Sequence, residues 1–170
     1  MKRSVLSTMF GAMILWAGLP AGASILHYTV HLDGAQDSVP TPATGLAFLT
    51  LDDVADTLLV NLTYSGLTTP AVNAHIHCCA PPGANAPVVI PFVPPFVVGG
   101  TSGTFDHLFS LTPELVADIK SGLSYINIHT TAFPGGEIRG QIVPEPATLA
   151  LVGLALGALG FLRRRPTLIT

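Results

Sequence analysis

Period-two alternation of apolar and polar side chains is the feature that most restricts this chain. In ILHYTVHL (25–32), Leu26, Tyr28, Val30 and Leu32 alternate with Ile25, His27, Thr29 and His31. Successive side chains of an extended strand point to opposite faces, so such a segment builds a sheet with one buried side. The pattern returns in GLAFLTL (45–51) and TLLVNLTY (57–64), which the acidic turn DDVAD joins as a hairpin, and in AVNAHIH (71–77) and GTFDHLFSL (103–111). SYINIHT (124–130) and EIRGQIV (137–143) form a closing hairpin around TAFPGG. Prolines crowd residues 81 to 95, so VVIPF (88–92) is expected as an edge strand within an irregular loop. One short helix interrupts the series: Thr112 caps it, Pro113 suits its first turn, Glu114 favours its positive end and Gly122 ends it. Seven to eight short strands with turn signals between them predict an all-β domain, an antiparallel sandwich or a barrel-like fold.

The two ends read differently. Lys2 and Arg3, an apolar run from Val5 to Leu19, and the small residues AGA at 21–23 follow the plan of a secretory signal peptide, with cleavage by signal peptidase after Ala23. At the other end, Ala147 to Leu162 is uncharged and almost wholly apolar, and Arg163, Arg164 and Arg165 stop it. At 1.5 Å per residue it would span about 24 Å as a helix, which snorkelling arginines extend towards a hydrocarbon core of about 30 Å. The expectation is a C-terminal transmembrane helix over 147–162, with the arginines cytoplasmic and the body on the periplasmic side.

VPEP at 143–146, an apolar helix and RRR, in that order, resemble a PEP-CTERM sorting signal. That resemblance implies an exported protein of a Gram-negative, exopolysaccharide-producing bacterium, recognised and cleaved near Pro144, Glu145 and Pro146 by an exosortase. The inner-membrane precursor would then pass to the cell envelope or extracellular matrix.

The chain thus divides into a signal peptide (1–23), a body (24–143) and a sorting segment (144–170). The body has 120 residues, enough for one domain with a real core. It keeps two basic residues, Lys120 and Arg139, against nine acidic ones, so its net charge is near −7. Nucleic-acid binding needs clustered Lys and Arg, and this balance argues against it.

Within the body, VHLDGAQDSVPTPATGLAFLTLD, AHIH and above all NIHTTAFPGGEIRGQI (127–142) resemble the CHRD domain, from about Ile25 to Val143. The resemblance implies an extracellular all-β domain with no settled biochemical activity. This chain departs from it at Cys78-Cys79, where many members carry glycine or other small residues.

Residues two apart on a strand share a face. Asn73, His75 and His77 make one polar row, which Cys79 joins if the strand continues. Tyr125, Asn127 and His129 make a second row, and Glu137, Arg139 and Gln141 a third. Val72, Ala74, Ile76, Ile126 and Ile128 hold the opposite parity and read as core. In one reading His75, His77 and His129 bind zinc or copper, with Cys79 or water as fourth ligand. An HxH on a sandwich strand is also similar, over these few residues, to the copper-zinc superoxide dismutase plan, which would imply redox activity. In the other reading the histidines hydrogen-bond backbone, Asn73 or Asn127, and no cofactor is present. Glu137 then pairs with Arg139 or crosses strands, and Asn127, Glu137 and Arg139 form a structural polar network. Cys78 and Cys79, the only cysteines, are expected as a vicinal disulfide in an oxidising compartment, with thiolate ligation or free thiols as alternatives.

No nucleophile elbow, phosphate loop or calcium loop is legible. The leading expectation is therefore a non-enzymatic binding or structural domain, with exopolysaccharide or surface proteins as partners. The competing one is a copper or zinc metalloprotein.

Overall fold

The computed structural model describes residues 24–92 and 96–144, together with Leu156. The leader over 1–23 and the tail with Glu145, Pro146 and Arg163 to Arg165 lie outside the described residues, as does the expected membrane helix apart from Leu156. No helix among the described residues is long and apolar enough to cross a membrane.

Eight strands and one helix form in the order β1 (Ile25–Leu32), β2 (Thr44–Asp52), β3 (Thr57–Ser65), β4 (Ala71–His77), β5 (Val88–Pro91), β6 (Gly103–Ser110), α1 (Pro113–Lys120), β7 (Ser124–Thr130) and β8 (Ile138–Ile142) among the described residues. They make two four-stranded sheets, β1-β2-β3-β6 and β5-β4-β7-β8. Every pairing is antiparallel. The all-β sandwich that the alternation predicts is what the chain adopts, with both hairpins in place and β5 at an edge.

The core is the inner layer of both sheets. Tyr28, Val30 and Leu32 of β1 and Leu58, Val60 and Leu62 of β3 face Ile76, Ile126, Ile128 and Ile138 across it, all buried. Burying each Leu, Val or Ile contributes roughly 1.5–3 kcal/mol relative to leaving it exposed. The sandwich is pinned along one side where β1 runs out: Asp33 N–H donates to the Arg139 carbonyl at 3.2 Å and Arg139 N–H to the Asp33 carbonyl at 2.8 Å. Gly140 makes this approach possible, because a Cβ there would collide with the His31 carbonyl. On the opposite side, Phe92 after β5 stacks on Phe105 of β6 with centroids 4.6 Å apart.

One core assignment is corrected. Ala71 is 1% exposed and Val72 is 43% exposed, the reverse of the alternation. The register of β4 against β7 shifts between Ala71 and Asn73, and an extra residue in a strand inverts the parity on its far side. From Asn73 onward the predicted parity holds.

The Thr112 hydroxyl caps α1 by accepting from Leu115 N–H at 3.4 Å, and Pro113 occupies the first turn. Val116 and Ile119 carry its buried face. Ser121 ends it, and Gly122 follows at φ +73°, a conformation other residues rarely adopt. Lys120 ties the helix to the β2–β3 turn through Asp53 at 2.7 Å. That ion pair, with donors from Ser24, holds the Asp53 carboxyl at about 2.

Candidate metal centre

Sheet register decides which polar residues meet. On β4 and β7, Asn73 pairs with His129, His75 with Asn127 and His77 with Tyr125. On β7 and β8, Asn127 pairs with Arg139 and Tyr125 with Gln141. The three polar rows therefore lie side by side on the outer face of the second sheet. Much of that face is shielded from solvent, with Asn73, His75 and His129 half-buried. Residues 78–87, 131–136 and the β1–β2 loop fold over it, and all five residues of β8 are buried.

His75, His77 and His129 converge. Each offers a ring nitrogen, and the three nitrogens lie within 4.8 Å of one another. Nδ1 of His75 is 3.2 Å from Nε2 of His129. Two nitrogens bound to one tetrahedral ion at 2.0–2.1 Å stand about 3.3 Å apart, so this pair is already at chelating distance. Nδ1 of His77 is 2.9 Å from the Ala86 carbonyl, and Nδ1 of His129 is 2.9 Å from the Pro134 carbonyl. A carbonyl only accepts, so both Nδ1 atoms carry the proton and both Nε2 atoms present a lone pair. Nε2 of His77 is buried with no hydrogen-bond partner among the described residues. Burial, then the neighbouring His129 and His77, push His75 down to about 4. Burial also pushes His77 down, against the opposing pull of the Ala86 carbonyl. Both rings are therefore neutral near pH 7, the form that binds a metal.

Cys79 does not join the triad. β4 stops at His77, and Cys79 is bonded to Cys78 in a vicinal disulfide. Its sulfur lies 3.3 Å from Asp118 Oδ1 on the helix. A disulfide sulfur offers no thiolate, so the nitrogen set stands without it.

The network expected of Asn127, Glu137 and Arg139 is divided. Glu137 precedes β8 and makes no bond to Arg139. Its Oε1 accepts from the Thr41 hydroxyl (2.7 Å), the Thr68 N–H (2.7 Å) and the Thr68 hydroxyl (2.8 Å), and its Oε2 from the Thr130 hydroxyl (2.8 Å). Burial pushes its carboxyl up, but these four donors outweigh burial and hold it below the usual glutamate range. Arg139 is fully buried, and its guanidinium lies 3.4 Å from the centroid of Tyr125. It donates to the Ala84 carbonyl at 2.6 Å and to Asp37 Oδ1 at 3.3 Å. Tyr125 in turn stacks on His77, 4.7 Å between centroids and 3° between planes. Asn127 holds the closing turn by donating to the Gly135 carbonyl at 3.2 Å. Parity puts Tyr125 and Arg139 on one face of the closing hairpin, whereas nothing local in the sequence links either to Asp37, Ala84 or Ala86.

The closing segment 127–142 thus supplies His129, the turn that fixes its tautomer, and the buried arginine. The model of the CHRD domain matches residues 28–142, a span that contains both sheets and the whole triad. The chain belongs to the CHRD domain family. The PEP-CTERM protein-sorting motif matches residues 143–165, directly after this domain. A CHRD domain followed by that motif marks an exported protein, processed by an exosortase at the cell envelope. The CHRD domain is not a known enzyme family. No curated protein and no solved structure matches the chain.

Proposed function

We propose that this CHRD protein is a non-enzymatic metal-binding domain of the cell surface, which holds zinc or copper through His75, His77 and His129. The exosortase step would carry it to the envelope or exopolysaccharide matrix. The observation that carries the reading is the pair of backbone carbonyls, of Ala86 and Pro134, that take the Nδ1 protons of His77 and His129 and leave both Nε2 lone pairs free, that of His129 lying 3.2 Å from Nδ1 of His75 and all three rings offering a nitrogen within 4.8 Å of the others. Outer partners of this kind are what orient metal-binding imidazoles. Three neutral imidazoles suit zinc and copper and are poor ligands for calcium or magnesium, which take oxygen. Water completes the set once Cys79 is excluded.

Zn²⁺ or Cu²⁺ added to the purified full-length chain should raise its melting temperature, because a ligand bound only by the native state stabilises it, by about 2.7 kcal/mol at a hundred times Kd. His75→Ala and His129→Ala should each abolish the rise, and Cys78→Ser should leave it. A rise that survives both histidine changes would assign the binding elsewhere and leave the histidines a hydrogen-bonding role. Sorting has its own test. Alanine at Pro144, Glu145 and Pro146 should leave an uncleaved inner-membrane precursor, whereas normal processing in an exosortase-bearing strain would defeat the assignment.

A further inference from the structure

His77 is held in place by groups that are not themselves ligands in the three-histidine site. The Ala86 carbonyl that takes its Nδ1 proton belongs to a loop without regular structure, residues 78–87. Two side chains rivet that loop to the sheet. Ala86 N–H donates to the Tyr125 hydroxyl at 3.0 Å, and Arg139 Nη2 donates to the Ala84 carbonyl at 2.6 Å. Arg139 Nη1 also reaches Asn85 Oδ1 at 3.5 Å. The same Tyr125 ring is pressed flat on the His77 ring, and the Arg139 guanidinium covers it. The stack therefore fixes both the plane of His77 and the acceptor of its proton. β7 runs between β4 and β8, so one aromatic side chain on the central strand contacts both neighbours.

We propose that Tyr125 and Arg139 are positioning residues of the three-histidine site: they hold residues 84–86 so that His77 keeps its proton on Nδ1 and offers Nε2 to the metal. The inference rests on the metal reading for its consequence, but not for the tautomer, which belongs to the metal-free protein. Without the clamp, Ala86 would be free to leave His77, and the ring would exchange between its two tautomers and lose its fixed plane. A merely structural role for the pair predicts lower stability with an unchanged tautomer and an unchanged metal affinity among the folded molecules.

The test uses the full-length chain. Long-range ¹H–¹⁵N correlation spectra of the histidine rings report the tautomer without metal, and zinc titration reports affinity. The wild type should show His77 as a single Nδ1–H tautomer. Tyr125→Phe removes the acceptor of Ala86 N–H and keeps the stack. It should give a mixed tautomer and weaken zinc binding roughly tenfold or more, as loss of an outer partner does. Arg139→Lys, which keeps the charge and loses the planar fork, should do the same. Tyr28→Phe is the control: Tyr28 is buried and its hydroxyl has no partner among the described residues, so both readouts should stay as in the wild type. A single Nδ1–H tautomer and unaltered zinc affinity in folded Tyr125→Phe would overturn the proposal, even if Arg139→Lys fails to fold. If the wild type binds no zinc while its tautomer still depends on Tyr125, the metal function falls and the positioning of His77 stands.

Discussion

The two sheets carry the same alternating sequence pattern and use it differently. On the first sheet, β1 and β3 alternate as burial too: one face packs inward, and the other meets water. Phe48, on the outer face of β2, is 54% exposed, and Leu108 of β6 is 59% exposed. On the second sheet, β8 is buried throughout and β7 is buried except at His129, because loops cover the outer face. The buried polar residues there cannot rely on water, so they are hydrogen-bonded to loop backbone: His77 to Ala86, Asn127 to Gly135, Gln141 to Ala80 and Arg139 to Ala84. One face is a solvated wall, and the other is a polar interior that can hold imidazoles neutral and in fixed tautomers. The sheet alone does not make a site; the cover does.

That contrast predicts unequal responses to substitution. Arg139→Ala should have the largest effect. It takes the partner from the Asp37 carboxylate and the Ala84 carbonyl of the covering loops and leaves a buried gap over Tyr125, so a loss of about 3 kcal/mol or more is expected in urea unfolding. A loss below about 0.5 kcal/mol would mean that water reaches the covered face, and the contrast between the two faces would fail.

Glu137→Gln keeps the shape and removes the charge that four donors address. About 2 kcal/mol should be lost at pH 7, since hydrogen bonds to charged groups are worth about 1.5–3 kcal/mol each and some are retained by the amide. The pH dependence has a definite sign. The folded carboxyl sits below its ordinary value, so its contribution is complete above the ordinary glutamate range and is lost as pH falls through the folded value. His75 acts over a higher window. Its folded value of about 4 lies below the ordinary 6.5, so stability should fall as pH drops between those values, where the unfolded ring takes up a proton that the folded ring resists. Acid titration of stability should therefore show a loss that begins near pH 6.5, runs towards pH 4 and is reduced by His75→Ala, with the depressed His77 supplying the remainder, and a lower step that Glu137→Gln removes. A single step, insensitive to both, would show that neither environment perturbs its group.

Phe48→Thr should have the smallest effect. The side chain lies on the solvated face, and threonine suits a strand, so stability should change by no more than about 0.5 kcal/mol in either direction. A markedly larger loss in the monomeric protein would reveal a cover on the first sheet too.

Alternation, turn chemistry and the capping signals of Thr112, Pro113 and Gly122 are local, and they determined the strands, the helix and both hairpins. They also determined that Asn73, His75 and His77 share a face, because parity within a strand does not depend on the rest of the chain. Local pattern could not reveal the bulge that turns Val72 outward, since a register shift is set between two strands. Nor could it bring His129 to His75 or pair Glu137 with Thr41 and Thr68. Those depended on β4 lying beside β7 and on where three loops came to rest. Loop backbone carries no sequence code for the carbonyl it will present. The Ala86 and Pro134 oxygens that fix two histidines were therefore decided only when the tertiary structure closed over the sheet.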